Sequence, residues 1–342
     1  KLSVSDNSVK DKVYLAIMDL QLYLSHPSLY VRSALVMCLL DLFKLTSSSP
    51  PSGTTTINQD RINAMQSETI DQCMPLLMAI LAEDPKKTYK CADNQNDFDE
   101  FADFQKIADH LRSRIGELFG AFAKASPLQM RNIILQQSNK WLSVGGPTAS
   151  HNKWQMAVLF LIQTASLLAN DNQSDGEVLP PVYNMVVQLL HSNIQAHDDK
   201  LVEEAIYGCK SLCLSLSTPQ IYQQSFAVFK HFACLPTEGS VSFRCRAMSA
   251  LHQMALHQQT LFAAHLMPEY LQLAAVLRGQ RELRAWIETT LWMAASANPQ
   301  GEMNMEYVKA VFVPLLAQLE QLYVLRSMDG RQFAEYIGLP YY

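Results

Sequence analysis

Five arginines crowd two short stretches: Arg244 and Arg246 in one, Arg278, Arg281 and Arg284 in the next. A guanidinium is planar, always charged, and presents a rigid fork that matches phosphate oxygens. At equivalent positions of a repeating structure, Arg244, Arg246, Arg281 and Arg284 would form a ladder along one face. Such a ladder suits a nucleic-acid backbone, since phosphate contacts fix position without reading sequence. The competing use is internal, an arginine at a helix start bonding acidic groups of the adjacent repeat. That use points to Arg246 and Arg284, which share one slot 38 residues apart, more than to Arg244 and Arg281, which lie off it.

A second charged group is acidic: Asp97, Asp99, Glu100 and Asp103, with Asp93 just before them. It reads as a solvated loop with favourable negative charge at a helix N-terminus, or as a contact for a basic partner. The nine histidines stand mostly singly, and His252 and His257 are five apart, a poor spacing for one helix face. The seven cysteines include no CxxC pair, and Cys209 and Cys213 have no zinc-like neighbours, so they read as reduced thiols of an intracellular protein. Trp141, Trp154, Trp286 and Trp292 fall at apolar helical positions and suit core packing better than base stacking. Phosphate-binding, dinucleotide, zinc-protease and serine-hydrolase motifs are absent. A binding protein is therefore expected rather than an enzyme, without cofactor or metal.

The composition limits the partners. The chain of 342 residues carries a net charge of −5, so a nucleic-acid surface would have to be a local patch. No apolar run approaches the ~20 residues of a membrane span, and the polar start at Lys1 has no signal-peptide pattern. That start, without Met, is what a fragment of a longer chain would show.

The elements that must hold these side chains are helical. Hydrophobic residues make up 49% of the chain, only 12 residues are glycine, and few stretches alternate with period two. Three passages place a proline in an amphipathic stretch: Cys73-Met74-Pro75, Leu266-Met267-Pro268 and Phe312-Val313-Pro314. A proline inside a helix removes a hydrogen bond and bends it. A second signature opens the partner helix, as Tyr30-Val31-Arg32-Ser33, Arg244-Cys245-Arg246-Ala247 and Glu282-Leu283-Arg284-Ala285. In the last of these helices Leu283, Trp286, Ile287 and Leu291 form the expected buried stripe.

Periods of about 40 residues with two helices each are the signature of HEAT and armadillo repeats. The expectation is an all-α, HEAT-type helical-repeat superhelical solenoid over residues 1–342, without a domain boundary. Its pairs fall at about 10–45, 60–124, 127–170, 181–217, 219–257 and 260–298, with a final helix from 303. Polar interruptions are expected at 46–59, 84–103, 145–150 and 171–180. The partner of the final helix would be the tail Asp329–Tyr342 or would lie further along.

Several passages resemble exportins of the karyopherin (importin-β) superfamily that carry double-stranded RNA hairpins. Tyr23-Leu24-Ser25-His26-Pro27-Ser28-Leu29-Tyr30-Val31-Arg32 is similar to that family's helix end, turn and arginine-led helix. Asp97-Phe98-Asp99-Glu100-Phe101-Ala102-Asp103-Phe104, followed by Arg114-Ile115-Gly116-Glu117, resembles its Asp/Phe-rich passage. Lys153-Trp154-Gln155-Met156-Ala157 looks like its Trp-led helix, and the order agrees from about residue 13 to 325. The resemblance implies a nuclear export receptor that shuttles between nucleus and cytoplasm. It implies structured RNA cargo, Ran-GTP and nucleoporins as partners, and no membrane. Arg244 and Arg246 match the family's basic RNA tunnel, which is richer in arginine than this stretch; Arg281 and Arg284 match a polar and a basic position one repeat on. The family's Ran-gripping N-terminal repeats have no counterpart in this sequence. A karyopherin for protein cargo, or a generic HEAT scaffold, are the alternatives.

Overall fold

The computed structural model describes residues 21–47, 56–144, 149–166, 179–193, 199–236, 241–277, 279–296, 303–326 and 332. Arg278, the Gly145-Gly146-Pro147 marker and most of the tail Asp329–Tyr342 lie outside them. The protein is all-α: 91% of the described residues are helical, and none is in a strand. The chain divides into two compact units, Lys1–Ile221 and Tyr222–Tyr342.

The first unit opens with a 3-10 turn, Gln21–Ser25, and then α1 (Leu29–Ser47) and α2 (Thr56–Ala82). Two short helices follow, α3 (Pro85–Tyr89) and α4 (Ala92–Asp97). Longer ones complete it: α5 (Phe101–Ala125), α6 (Pro127–Ser143), α7 (Ala149–Ala165), α8 (Leu179–Asn193) and α9 (Asp199–Leu216). Local chemistry sets several ends. Asp84 caps α3, its carboxylate accepting from the Lys86 amide, and Pro85 fills the first helical position, where no N–H is needed. At the far end of α9, Ser217 takes a left-handed φ of 49° and its amide bonds Cys213 O, a C-terminal cap that Pro219 follows.

The core follows the helical period. In α1 the buried residues Arg32, Leu35, Val36, Leu39, Leu40 and Phe43 recur every three or four positions and face α5. Helix α7 is buried on nearly all sides, through Ala157, Val158, Leu159, Leu161 and Ile162, because α2, α5, α6 and α9 all pack on it. Two glycines let its neighbours come close. A Cβ at Gly116 would lie 3.1 Å from both Phe160 Cζ and Thr164 Cγ2, and one at Gly208 would lie 3.2 Å from Leu159 Cδ2.

In the second unit α10 (Pro219–Ala233, from Tyr222 onward) is followed by α11 (Val241–His257). Next come α12 (Gln259–Leu261), a π-helical turn Phe262–Leu266, and α13 (Met267–Gln272). The unit's last two described helices are α14 (Gln280–Ser296) and α15 (Met305–Arg326). Pro75 and Pro314 lie inside α2 and α15 as expected. Pro268 also lies inside a continuous helical run, Gln259–Ala275, whose type changes to π just before the proline. Just upstream of the proline the Met267 amide reaches five residues back to Phe262 O.

The expected stripe of α14 is also rotated. The buried residues are Glu282, Trp286, Thr289, Thr290, Met293 and Ala294, while Leu283, Ile287 and Leu291 are half-buried. Only Trp286 is common to both sets. The apolar count favoured the leucine side, but two threonines bond back to helix carbonyls and a paired glutamate satisfies its charge, so polar residues fill the inner face.

Polar ties recur at similar sequence separations within each unit. In the first, Gln163 donates to Glu204, 41 residues on, and Tyr183 to Ile221 O, 38 residues on. In the second, Tyr222 bonds His257, 35 residues on, Lys230 bonds Glu269, 39 residues on, and His252 bonds Thr289, 37 residues on.

Candidate nucleic-acid interface

The four arginines sit in the first two turns of two helices that pack on each other, α11 and α14. Their environments differ sharply. Arg244 is 5% exposed, and its Nε donates to Glu282 Oε1 at 2.7 Å while Nη1 reaches Leu235 O and Pro236 O at 3.5 and 3.3 Å. Glu282 is itself 2% exposed. Its carboxylate lies against Gly279, where any Cβ would collide with it, at the N-terminal end of α14.

Arg284 is the opposite case, with a side chain 80% exposed and paired only to Glu288 on its own helix at 2.8 Å. That carboxylate raises the guanidinium's already high pKa. Arg281 is exposed, and Arg246 is half-buried. A buried structural pairing is thus made by Arg244, which lies off the slot that Arg246 and Arg284 share. Helical phase explains its burial: Arg244 shares the buried face of α11 with Ala247, Met248 and Leu251, and a residue two positions on points about 200° away.

The acidic group lies in the first unit and is more ordered than a solvated loop. Asn94, fully buried, donates to Pro27 O and Thr88 O and accepts from the Leu29 amide. Ser28 Oγ donates to Asp97 at 2.8 Å. Phe98 stacks on Tyr30 with centroids 4.7 Å apart, and Phe104, Tyr89 and Phe101 close an aromatic cluster. Asp99 and Glu100 remain exposed, and Asp103 pairs with Lys106 at 2.7 Å. Asn94 is the residue the sequence hides, since nothing in a run of Asp and Asn marks one of them as the latch.

A cavity of about 740 Å³, also in the first unit, carries three cross-element ion pairs on its walls. Arg32 bonds Glu83 at 2.7 Å, Lys153 bonds Asp84 at 3.0 Å and Arg112 bonds Glu204 at 3.0 Å. Lys153 and the Lys86 amide hold the Asp84 carboxyl below the usual carboxylate range. Arg112 also lies over the Phe160 ring at 4.4 Å. On the same wall the Thr88 hydroxyl donates to Glu83 Oε2 at 3.2 Å.

The remaining polar candidates are tied into the packing. His252 and His257 bond Thr289 and Tyr222, and the Trp286 indole donates to Tyr270 O at 2.9 Å. Burial pushes the Cys73 thiol up to about 12, and burial likewise raises those of Cys234 and Cys245. Among the described residues no group of three or more His, Cys, Asp or Glu could hold a metal ion, and no helix is long and apolar enough to cross a membrane. No protein-family model and no curated protein matches the chain.

Proposed function

We propose that this chain is a HEAT-type helical-repeat segment that binds a macromolecular partner, and that the partner is structured RNA held by arginines at helix starts. The observation that carries the reading is the outward pair Arg281 and Arg284, with half-buried Arg246 on the adjoining helix, at the ends of two packed helices. The ties spanning 35 to 41 residues support a repeating helix-pair architecture. With the resemblance to RNA-hairpin exportins, the reading becomes a segment of a nuclear export receptor. It would carry hairpin RNA together with Ran-GTP, meet nucleoporins in transit and shuttle between nucleus and cytoplasm. Arg244 takes no RNA contact in this reading, because Glu282 holds it inside.

The test is binding to a hairpin RNA with a short 3′ overhang at low and moderate salt, with and without Ran-GTP. Phosphate contacts release counterions, so affinity should fall steeply with salt. Arg281→Glu and Arg284→Glu should weaken binding, and removing either charge should lower the salt slope by about one. Binding that ignores both reversals would overturn the arginine assignment. No binding with Ran-GTP present would favour the second reading, a karyopherin for a basic protein cargo, for which the exposed carboxylates of Asp99 and Glu100 speak.

A further inference from the structure

Helix α15 packs on α14 with Val311 buried, and Asn304 ties its start to Ala294 O at 2.7 Å. Its other side is apolar and exposed: Met305 at 56%, Phe312 at 48%, Leu316 at 55% and Tyr323 at 76%. These four fall at spacings of seven, four and seven residues and lie on one stripe, roughly 27 Å long at 1.5 Å per residue. Exposed Lys309 and Glu320 lie on the same stripe.

The order of these side chains is self-complementary. Counted outward from Pro314, Phe312 matches Leu316 and Met305 matches Tyr323, while Lys309, five residues before, and Glu320, six after, differ by one residue, about 1.5 Å along the axis. An antiparallel two-fold arrangement of two such helices sets apolar against apolar and places Lys309 of each copy near Glu320 of the other. A parallel arrangement sets Lys309 against Lys309 and Glu320 against Glu320, which costs energy. Pro314 meets its copy in either arrangement, so the charges select the antiparallel one. A closed two-fold contact of this kind uses one patch on both partners.

We infer that the Met305–Tyr323 stripe is a homodimer interface, occupied by the same helix of a second copy running antiparallel. One helix stripe buries less than the ~800 Å² per partner of a standard stable interface, so the dimer is weak and dissociates on dilution. The inference does not depend on what the arginine face binds.

Sedimentation equilibrium of the whole chain over a dilution series tests it. The expected result is a mass rising with concentration from 38.5 kDa toward twice that value. Phe312→Asp should leave a monomer. Lys309→Glu or Glu320→Lys alone should weaken the dimer about tenfold, the ~1.4 kcal/mol scale of a tenfold change in association. The double variant carrying both should restore it. All three positions are exposed, and unchanged helical circular dichroism would show that each variant folds. A monomer at every concentration would overturn the inference and mean that another segment or partner covers the stripe. A dimer indifferent to the single reversals, or not rescued by the double one, would also overturn it.

Discussion

Arg244 Nε lies 2.7 Å from Glu282 Oε1, with both side chains nearly sealed from solvent. The pair bolts the first turn of α11 to the first turn of α14, and the two carbonyls of Leu235 and Pro236 hold the guanidinium from the other side. Removing one member of a buried pair leaves a charge without compensation, at a cost of about 3–5 kcal/mol. Arg244→Met should therefore lower the unfolding midpoint of the second unit sharply in a urea titration. Arg244→Met with Glu282→Leu should recover most of the loss, whereas a surface pair would show neither effect.

Asn94 performs the equivalent task in the first unit. Asn94→Leu strands the Leu29 amide, at about 1–3 kcal/mol, and takes one of two donors each from Pro27 O and Thr88 O. Limited proteolysis should then cut within residues 84–103, where the intact protein should resist. Equal cutting in both proteins would mean the aromatic cluster alone holds the segment.

Close helix approach makes Gly116 sensitive to size. Gly116→Val puts branched carbon where Phe160 Cζ and Thr164 Cγ2 already stand 3.1 Å from a Cβ. The expected loss is about 1–3 kcal/mol in chemical denaturation. Gly116→Ala should cost less, because alanine's better helix propensity offsets part of the crowding.

Cys73 links stability to alkaline pH. Its thiol stays neutral in the folded protein up to about 12, against an ordinary 9.0 when unfolded. The folded value is raised, so the contribution is fully present below pH 9.0 and is lost as pH climbs through 9.0 toward about 12. The urea midpoint should fall over that window, and Cys73→Ala should flatten the fall. Thiol reagents at about pH 8 should reach Cys73 only as fast as the core opens.

The helical class is legible in the sequence because apolar residues recur every three or four positions and glycine is scarce. Arg32, Leu35, Leu39 and Phe43 show the pattern that places α1. The inner face of α14 is not legible, since hydropathy ranks Leu283 and Ile287 above Thr289 and Thr290, and only tertiary bonding makes the threonines the inner residues. The division of labour among the arginines is hidden for a related reason. Motif alignment places Arg246 and Arg284 in one slot, but the phase of the buried face selects Arg244, and that phase depends on which residues of the next helix face back.

The recurrent ties also set a timetable for biosynthesis. A ribosome adds about 5–20 residues per second. Lys230 therefore waits roughly 2–8 s for Glu269, 39 residues behind it, to be made. Tyr222 and His257, or Arg244 and Glu282, keep a similar interval. The Asn94 latch runs slower, because Leu29 must stay open while 65 further residues are polymerised. Among these ties, the start of α1 thus spends longest exposed to chaperones on a nascent chain.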